Sequence, residues 1–192
     1  MVHSYGLASS QLARIRQAGI PLTVCIDKVA ASGGYMMACI GDKIISAPFA
    51  ILGSIGVVAQ LPNVNRLLKK HDVDFEVFTA GEYKRTVTVF GENTEKGGGK
   101  VEAELDDPHE LDKDFVSRYR PQLHIDDVAT GEVWLGVAAL NKQLVDELKT
   151  SDEYLGDRAR EANLYHLHFA ERKSLQERVG LAASGSIEQV LL

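Results

Sequence analysis

An α/β fold with a largely parallel sheet flanked by helices is predicted by three features of this 192-residue chain. Short apolar runs that read as strands, LTVCI, KIISA and DFEVFTA, alternate with segments of helical period. The links between them are short and carry glycine or proline. With 45% apolar and 25% charged residues the composition is ordinary for a globular domain, and long enough for one sizeable core.

Taken in order, a helix through LASSQLARIRQAG leads past Gly19 and Pro21 to the strand LTVCI. The small residues from Ala31 to Gly34 predict a sharp turn into a helix from Tyr35 to Ile40, followed by the strand KIISA. After Pro48 the run AILGSIGVVAQ is apolar and broken by glycine. Pro62 opens the helix NVNRLLKK, and DFEVFTA reads as a strand that delivers Lys84. Residues 85–99 read as a mobile segment, and a helix follows from about Val101 to Tyr119. Glycines 97–99 argue for a late start, since each interior glycine costs roughly 1 kcal/mol against alanine. Beyond Ser151 a helix through YLGDRAREA, a strand LYHLHFA and an amphipathic segment from Glu171 complete the reading.

The chemistry concentrates at Ser32 in VAASGGYMMACIG, Ser54 in LGSIGVV and Lys84 in FTAGEYKRT. A serine hydroxyl needs an adjacent base to act as a nucleophile near neutral pH, and a lysine supplies one only where burial keeps its amine neutral. Such a lysine must titrate near about 7 to 8 instead of about 10.4, a differential on the order of 4 kcal/mol. The glycines after Ser32 allow the tight strand-to-helix turn on which an exposed nucleophile sits, with the Gly33 amide placed to donate to an oxyanion. Each run alone also fits a plain helix cap or a solvated surface lysine. Their combination carries the signal.

Other chemistries find less support. A net charge of −6 and a pI near 5.5 give no basic footprint, which argues against a nucleic-acid partner. Cys25 and Cys39 match no metal spacing and read as free thiols in apolar runs, and no cofactor or metal is expected. Of the six histidines, His71 falls in a charged turn, His109 in a polar helix and His124 in a loop. His166 and His168 alternate on the expected strand LYHLHFA. None is better placed than Lys84 to complete a Ser/His/Asp triad. Asp27 and Asp146, near strand ends, read as structural. No run reaches the roughly 18 to 20 apolar residues that span a bilayer.

Four segments in fixed order, ASGGYMMA, APFAILGSIGVV, TAGEYKRT and GEVWLGVAALNKQLVDEL, resemble the signal peptide peptidase A family of serine proteases, most closely its SohB branch. The resemblance covers roughly residues 1–150, which it marks as a protease core, with 151–192 as a C-terminal extension of the same domain. It implies the ClpP/crotonase-like spiral fold, with Ser32 as nucleophile, Lys84 as general base and Ser54 holding the lysine. Hydrophobic peptides such as signal-peptide remnants are the implied substrates. It further implies a homo-oligomeric ring in which serine and lysine can come from neighbouring subunits, and a location at the periplasmic face of the bacterial inner membrane through an N-terminal anchor. The glycine-rich turn that supplies the second oxyanion donor in the family lies upstream of Ser4, outside this sequence, so this chain alone is expected to be much less active than a longer one. The same fold houses acyl-coenzyme A hydratases and isomerases, but the placed carboxylates that they need are not found. A non-catalytic oligomerising scaffold is the remaining alternative.

Overall fold

The computed structural model describes residues 2–168. The chain divides into two compact units, residues 1–156 and 157–192. In the first, helix α1 (Val2–Gln17) precedes a strand–strand–helix unit made of β1 (Thr23–Ile26), β2 (Val29–Ala31) and α2 (Gly33–Ala38). A second such unit follows as β3 (Lys43–Ser46), β4 (Ile51–Gly53) and, after a long loop, α3 (Asn65–Lys70). The long helix α4 (Glu95–Tyr119), the short α5 (Ile125–Val128), β5 (Val133–Leu135), α6 (Gly136–Asn141), β6 (Glu147–Leu148) and α7 (Ser151–Arg158) close the sequence of elements.

The strands sort into two three-stranded sheets. β1, β3 and β6 form one that is parallel throughout, with Val24 opposite Ile44 and Ile45 opposite Glu147. β2, β4 and β5 form the other, in which β2 and β4 run parallel and β5 pairs antiparallel to β4. β1 and β3 of the first sheet each lead directly into a strand of the second, β2 and β4, and the predicted α/β architecture is borne out. Ile44, Ile45, Leu52, Ile55, Tyr35, Leu144 and Val145 fill the core between sheets and helices. The Tyr35 hydroxyl donates to the Leu144 carbonyl at 2.8 Å, so α2 is tied to the chain that leads into β6.

Three expectations need correction. Residues 74–80 form no strand: Phe75, Val77 and Phe78 are exposed, and without a neighbouring strand among the described residues their alternation has no ladder to join. Helix α4 starts at Glu95, not near Val101. Thr94 caps it by accepting the Gly97 amide on its Oγ1 at 3.1 Å, and a Cβ on Gly97 would lie 2.3 Å from the Thr86 carbonyl oxygen. Glycine is there because the backbone of residue 86 crosses the first turn. In the second unit residues 164–168 are not a strand either, and Tyr165 and Leu167 are exposed. The amphipathic segment from Glu171 lies outside the described residues.

One buried group works against stability. Asp112, on the face of α4 that carries Val116, is 6% exposed and its Oδ1 has no hydrogen-bond partner. Burial pushes its carboxyl up to about 6, opposed in part by the charge of His109. Because the folded value lies above the unfolded 3.8, the contribution of this one group to stability is fully present below pH 4 and is lost as pH rises through about 4 to 6, by about 3 kcal/mol in all. Asp112→Asn is expected to abolish this fall and to melt higher than the parent at pH 7.5 but not at pH 4. Parallel melting curves for parent and variant across that range would refute the assignment.

Candidate active site

The parallel pairing of β2 with β4 sets the site. Ala31 lies opposite Gly53, so the next residues, Ser32 and Ser54, leave the carboxyl ends of adjacent strands side by side. The Ser32 amide donates to the Gly53 carbonyl at 2.8 Å, which extends the ladder to the serine itself. There the chain turns sharply. Ser32 has φ 52° and ψ −123°, a region that residues with a Cβ seldom occupy and that costs of order 1–3 kcal/mol. Its carbonyl accepts from the amides of Tyr35 and Met36, starting α2. Its hydroxyl makes no capping bond, which sets aside the reading of Ser32 as an N-cap, and the residue is exposed.

Gly33 follows because nothing larger fits. A Cβ built there meets the Tyr5 ring of α1 at 2.2 Å, so Tyr5 packs directly over the residue after the serine. Nothing in the local sequence signals this contact between α1 and α2. Among the described residues no acceptor takes the Gly33 amide, which precedes the first hydrogen-bonded turn. A strained serine, an unspent amide beside it and a hydroxyl left exposed are the parts of a nucleophile elbow.

Ser54 also has a positive φ, 50°, and is half-buried. Its amide donates to the Glu132 carbonyl at 2.6 Å, and the Gly131 amide donates to the Ile55 carbonyl at 3.0 Å. This explains the segment GEVWLG, which carried a motif but no assigned element in the sequence reading. It forms β5 against β4, and the Trp134 ring lies over Gly53, where a Cβ would meet it at 2.7 Å. Lys142 covers that ring at 4.8 Å from its centroid. The turn before β5 therefore fixes Ser54, and Ser54 neighbours Ser32.

Lys84 is elsewhere. It is exposed, in a turn whose backbone bond runs from its amide to the Gly81 carbonyl at 3.2 Å. That turn is fastened to the start of α4: Lys96 pairs with Glu82 at 2.8 Å, and Lys100 lies 5.4 Å from the centroid of the Tyr83 ring. Among the described residues no hydrogen bond joins Lys84 to Ser32 or Ser54. One chain thus sets the two serines on adjacent strand ends, with no hydrogen bond from Lys84 to either among the described residues.

The histidines divide as well. His71 ends α3 in an exposed turn. His166 and His168 stack loosely, centroids 6.3 Å apart, and no group of metal-ligating side chains occurs among the described residues. His109, read as part of a polar helix, is half-buried and shares an open hollow of about 460 Å³ with Ser54. The Cys39 thiol donates to the Met36 carbonyl at 3.2 Å, and burial pushes it up to about 12, so it is inert near neutral pH. Asp27 and Asp146 are structural as read: Asp27 accepts the Ser151 amide at 2.8 Å and Asp146 the Ile44 amide at 2.7 Å.

Residues 14–165 match Peptidase family S49. The chain belongs to that family. All four motifs behind the resemblance fall inside the matched residues, and an S49 chain is the context in which the Ser32 turn is read below. The chain is 58% identical over 191 residues to Probable protease SohB of Haemophilus influenzae, covering 100% of this chain and 54% of that protein. It is 52% identical over 192 residues to Probable protease SohB of Buchnera aphidicola subsp. Acyrthosiphon pisum, covering 100% of this chain and 57% of that protein. Protease 4 of Haemophilus influenzae is 29% identical over 141 residues, which is 72% of this chain and 23% of that protein. The chain therefore spans about half the length of the SohB relatives. Among solved structures, an enoyl-CoA hydratase/isomerase from Marinobacter aquaeolei aligns at a TM-score of 0.44 and 14% identity over 83% of this chain and 42% of that one, a likeness that carries no argument about activity.

Proposed function

We propose that this S49 chain carries the nucleophilic half of a serine endopeptidase that works by a Ser32/Lys84 dyad through an acyl-enzyme. The observation that carries the reading is the Ser32 backbone, held at φ 52° with its hydroxyl exposed and the Gly33 amide unspent beside it. In the cycle, Ser32 Oγ attacks the peptide carbonyl carbon while its proton passes to the neutral Lys84 amine. The Gly33 amide donates to the developing oxyanion, the Lys84 ammonium protonates the departing amine, and water then hydrolyses the ester. Ser54 orients the lysine.

That Lys84 makes no hydrogen bond to either serine, among the described residues, supports a site assembled between neighbouring subunits of a ring. The substrates proposed are hydrophobic peptides with small residues at the cleaved bond, such as signal-peptide remnants at the bacterial inner membrane. Among the described residues no helix is long and apolar enough to cross a membrane. The test is hydrolysis of a hydrophobic peptide with alanine at the cleaved position, by parent and Ser32→Ala. Cleavage is expected only with the parent, and equal cleavage by both would sink the reading.

A further inference from the structure

The Ser54 backbone owes its position to the turn at residues 129–132, so whatever holds that turn holds the site. Gly131 turns the chain at φ 79°, and the Thr130 hydroxyl donates to Glu132 Oε2 at 2.8 Å, which stiffens the turn internally. Backbone bonds from Gly131 to Ile55 and from Ser54 to Glu132 tie its far end to the end of β4. At its near end a side chain takes hold: His109 Nε2 lies 3.1 Å from the Ala129 carbonyl oxygen. A carbonyl only accepts, so Nε2 carries the proton and the ring is the donor. The Ala129 amide in turn donates to the Ile125 carbonyl at 2.8 Å, so the imidazole reaches the end of α5 where the turn begins. His109 projects from the middle of α4, directly after Pro108, and forms one wall of the hollow whose other walls include Ser54, Gly56 and Thr130.

We propose that His109 is a positioning residue for the serine site, clamping the turn at 129–132 so that the Glu132 carbonyl stays on the Ser54 amide. The role rests on the serine-peptidase reading for its effect on catalysis, but not for the clamp. The hollow beside the turn is open, so without the imidazole water competes for the Ala129 carbonyl and the backbone bonds of the turn to Ser54 and Ile55 open more often. Histidine suits the position because its Nε2 reaches across the hollow from a helix; glutamine places an amide N–H at similar reach, and leucine fills the space with no donor.

Two readouts on the whole chain test this. Hydrogen exchange of the Ser54 and Gly131 amides is expected to quicken about 3- to 10-fold in His109→Leu, the size of one lost hydrogen bond, and to return toward the parent rate in His109→Gln. Exchange of the Ile45 amide in the other sheet should not change. Catalytically, His109→Leu should lower the rate of Ser32 acylation by a similar factor with little change in KM, again restored by glutamine. Unchanged exchange at Ser54 and Gly131 in His109→Leu would overturn the clamp whether or not Ser32 reacts. Faster exchange at those amides in a protein whose Ser32 never acylates would uphold the clamp and count against the peptidase reading alone.

Discussion

Arg120→Ala is expected to destabilise the protein by about 3 kcal/mol, the lower end of what breaking a buried ion pair costs. Arg120 follows the last turn of α4 and is 4% exposed. Its guanidinium grips Asp146 with both arms, Nη2 to Oδ1 at 2.7 Å and Nη1 to Oδ2 at 3.0 Å, and donates to the Gln143 carbonyl at 2.9 Å. Asp146 also accepts the Ile44 amide at 2.7 Å. Burial works to raise the Asp146 carboxyl, yet the hydrogen bonds from Arg120 and Ile44 and the charges of Arg120 and Lys43 together hold it below the usual carboxylate range. Removing the arginine strands that charge among α4, β3 and the entry to β6. The side chain of Asp146 is 32% exposed, so water relieves part of the penalty, which places the loss at the lower end. For a chain of this size a loss of about 3 kcal/mol lowers Tm by about 6 to 12 °C. Arg120→Lys keeps the charge but not the fork and should fall between the two. A change under 2 °C in Arg120→Ala would mean the pair does not organise the core. Because Tyr35 of α2 bonds the Leu144 carbonyl on the same segment, loosening it should also loosen the helix that begins after Ser32.

Lys84→Ala is expected to lower peptide hydrolysis by about 100- to 10,000-fold, the range for a positioned general base. The sign of the pH dependence follows from the mechanism: only the unprotonated amine accepts the Ser32 proton, so the parent rate should climb between about pH 6 and 9. If the dyad spans subunits, mixing Ser32→Ala with Lys84→Ala should restore part of the activity that neither variant has, because some interfaces pair an intact serine with an intact lysine. A Lys84→Ala protein that keeps its rate within a few-fold, or a rate flat across that pH range, would remove the lysine from the chemistry.

The alternation of apolar strands and helices made the α/β class legible, and the small residues of Ala31 to Gly34 made the turn at Ser32 legible, because glycine demand and burial are local properties. The pairing of Ser32 with Ser54 was not. It depends on β2 and β4, strands of three residues each that are too short to show a period and that pair across the intervening helix and strand. Likewise DFEVFTA has the alternation of a strand, but alternation states only what a segment could bury, and here no neighbouring strand exists among the described residues to receive it. The glycines at 97–99 were read by propensity as a late helix start, whereas Thr94 and the crossing backbone of Thr86 decide the matter at Glu95. His109 escaped notice because its helix is polar, and only the fold reveals that it faces the turn holding Ser54.

The claim on which the rest depends is that Ser32 is the nucleophile, and the most direct measurement is the site of covalent capture by a fluorophosphonate. After reaction, digestion and peptide mass analysis, the adduct is predicted on the hydroxyl of Ser32, absent from Ser32→Ala and strongly reduced in Lys84→Ala, with Ser54 unmodified. An adduct on Ser54 or another serine, or labelling that survives Ser32→Ala, would contradict it.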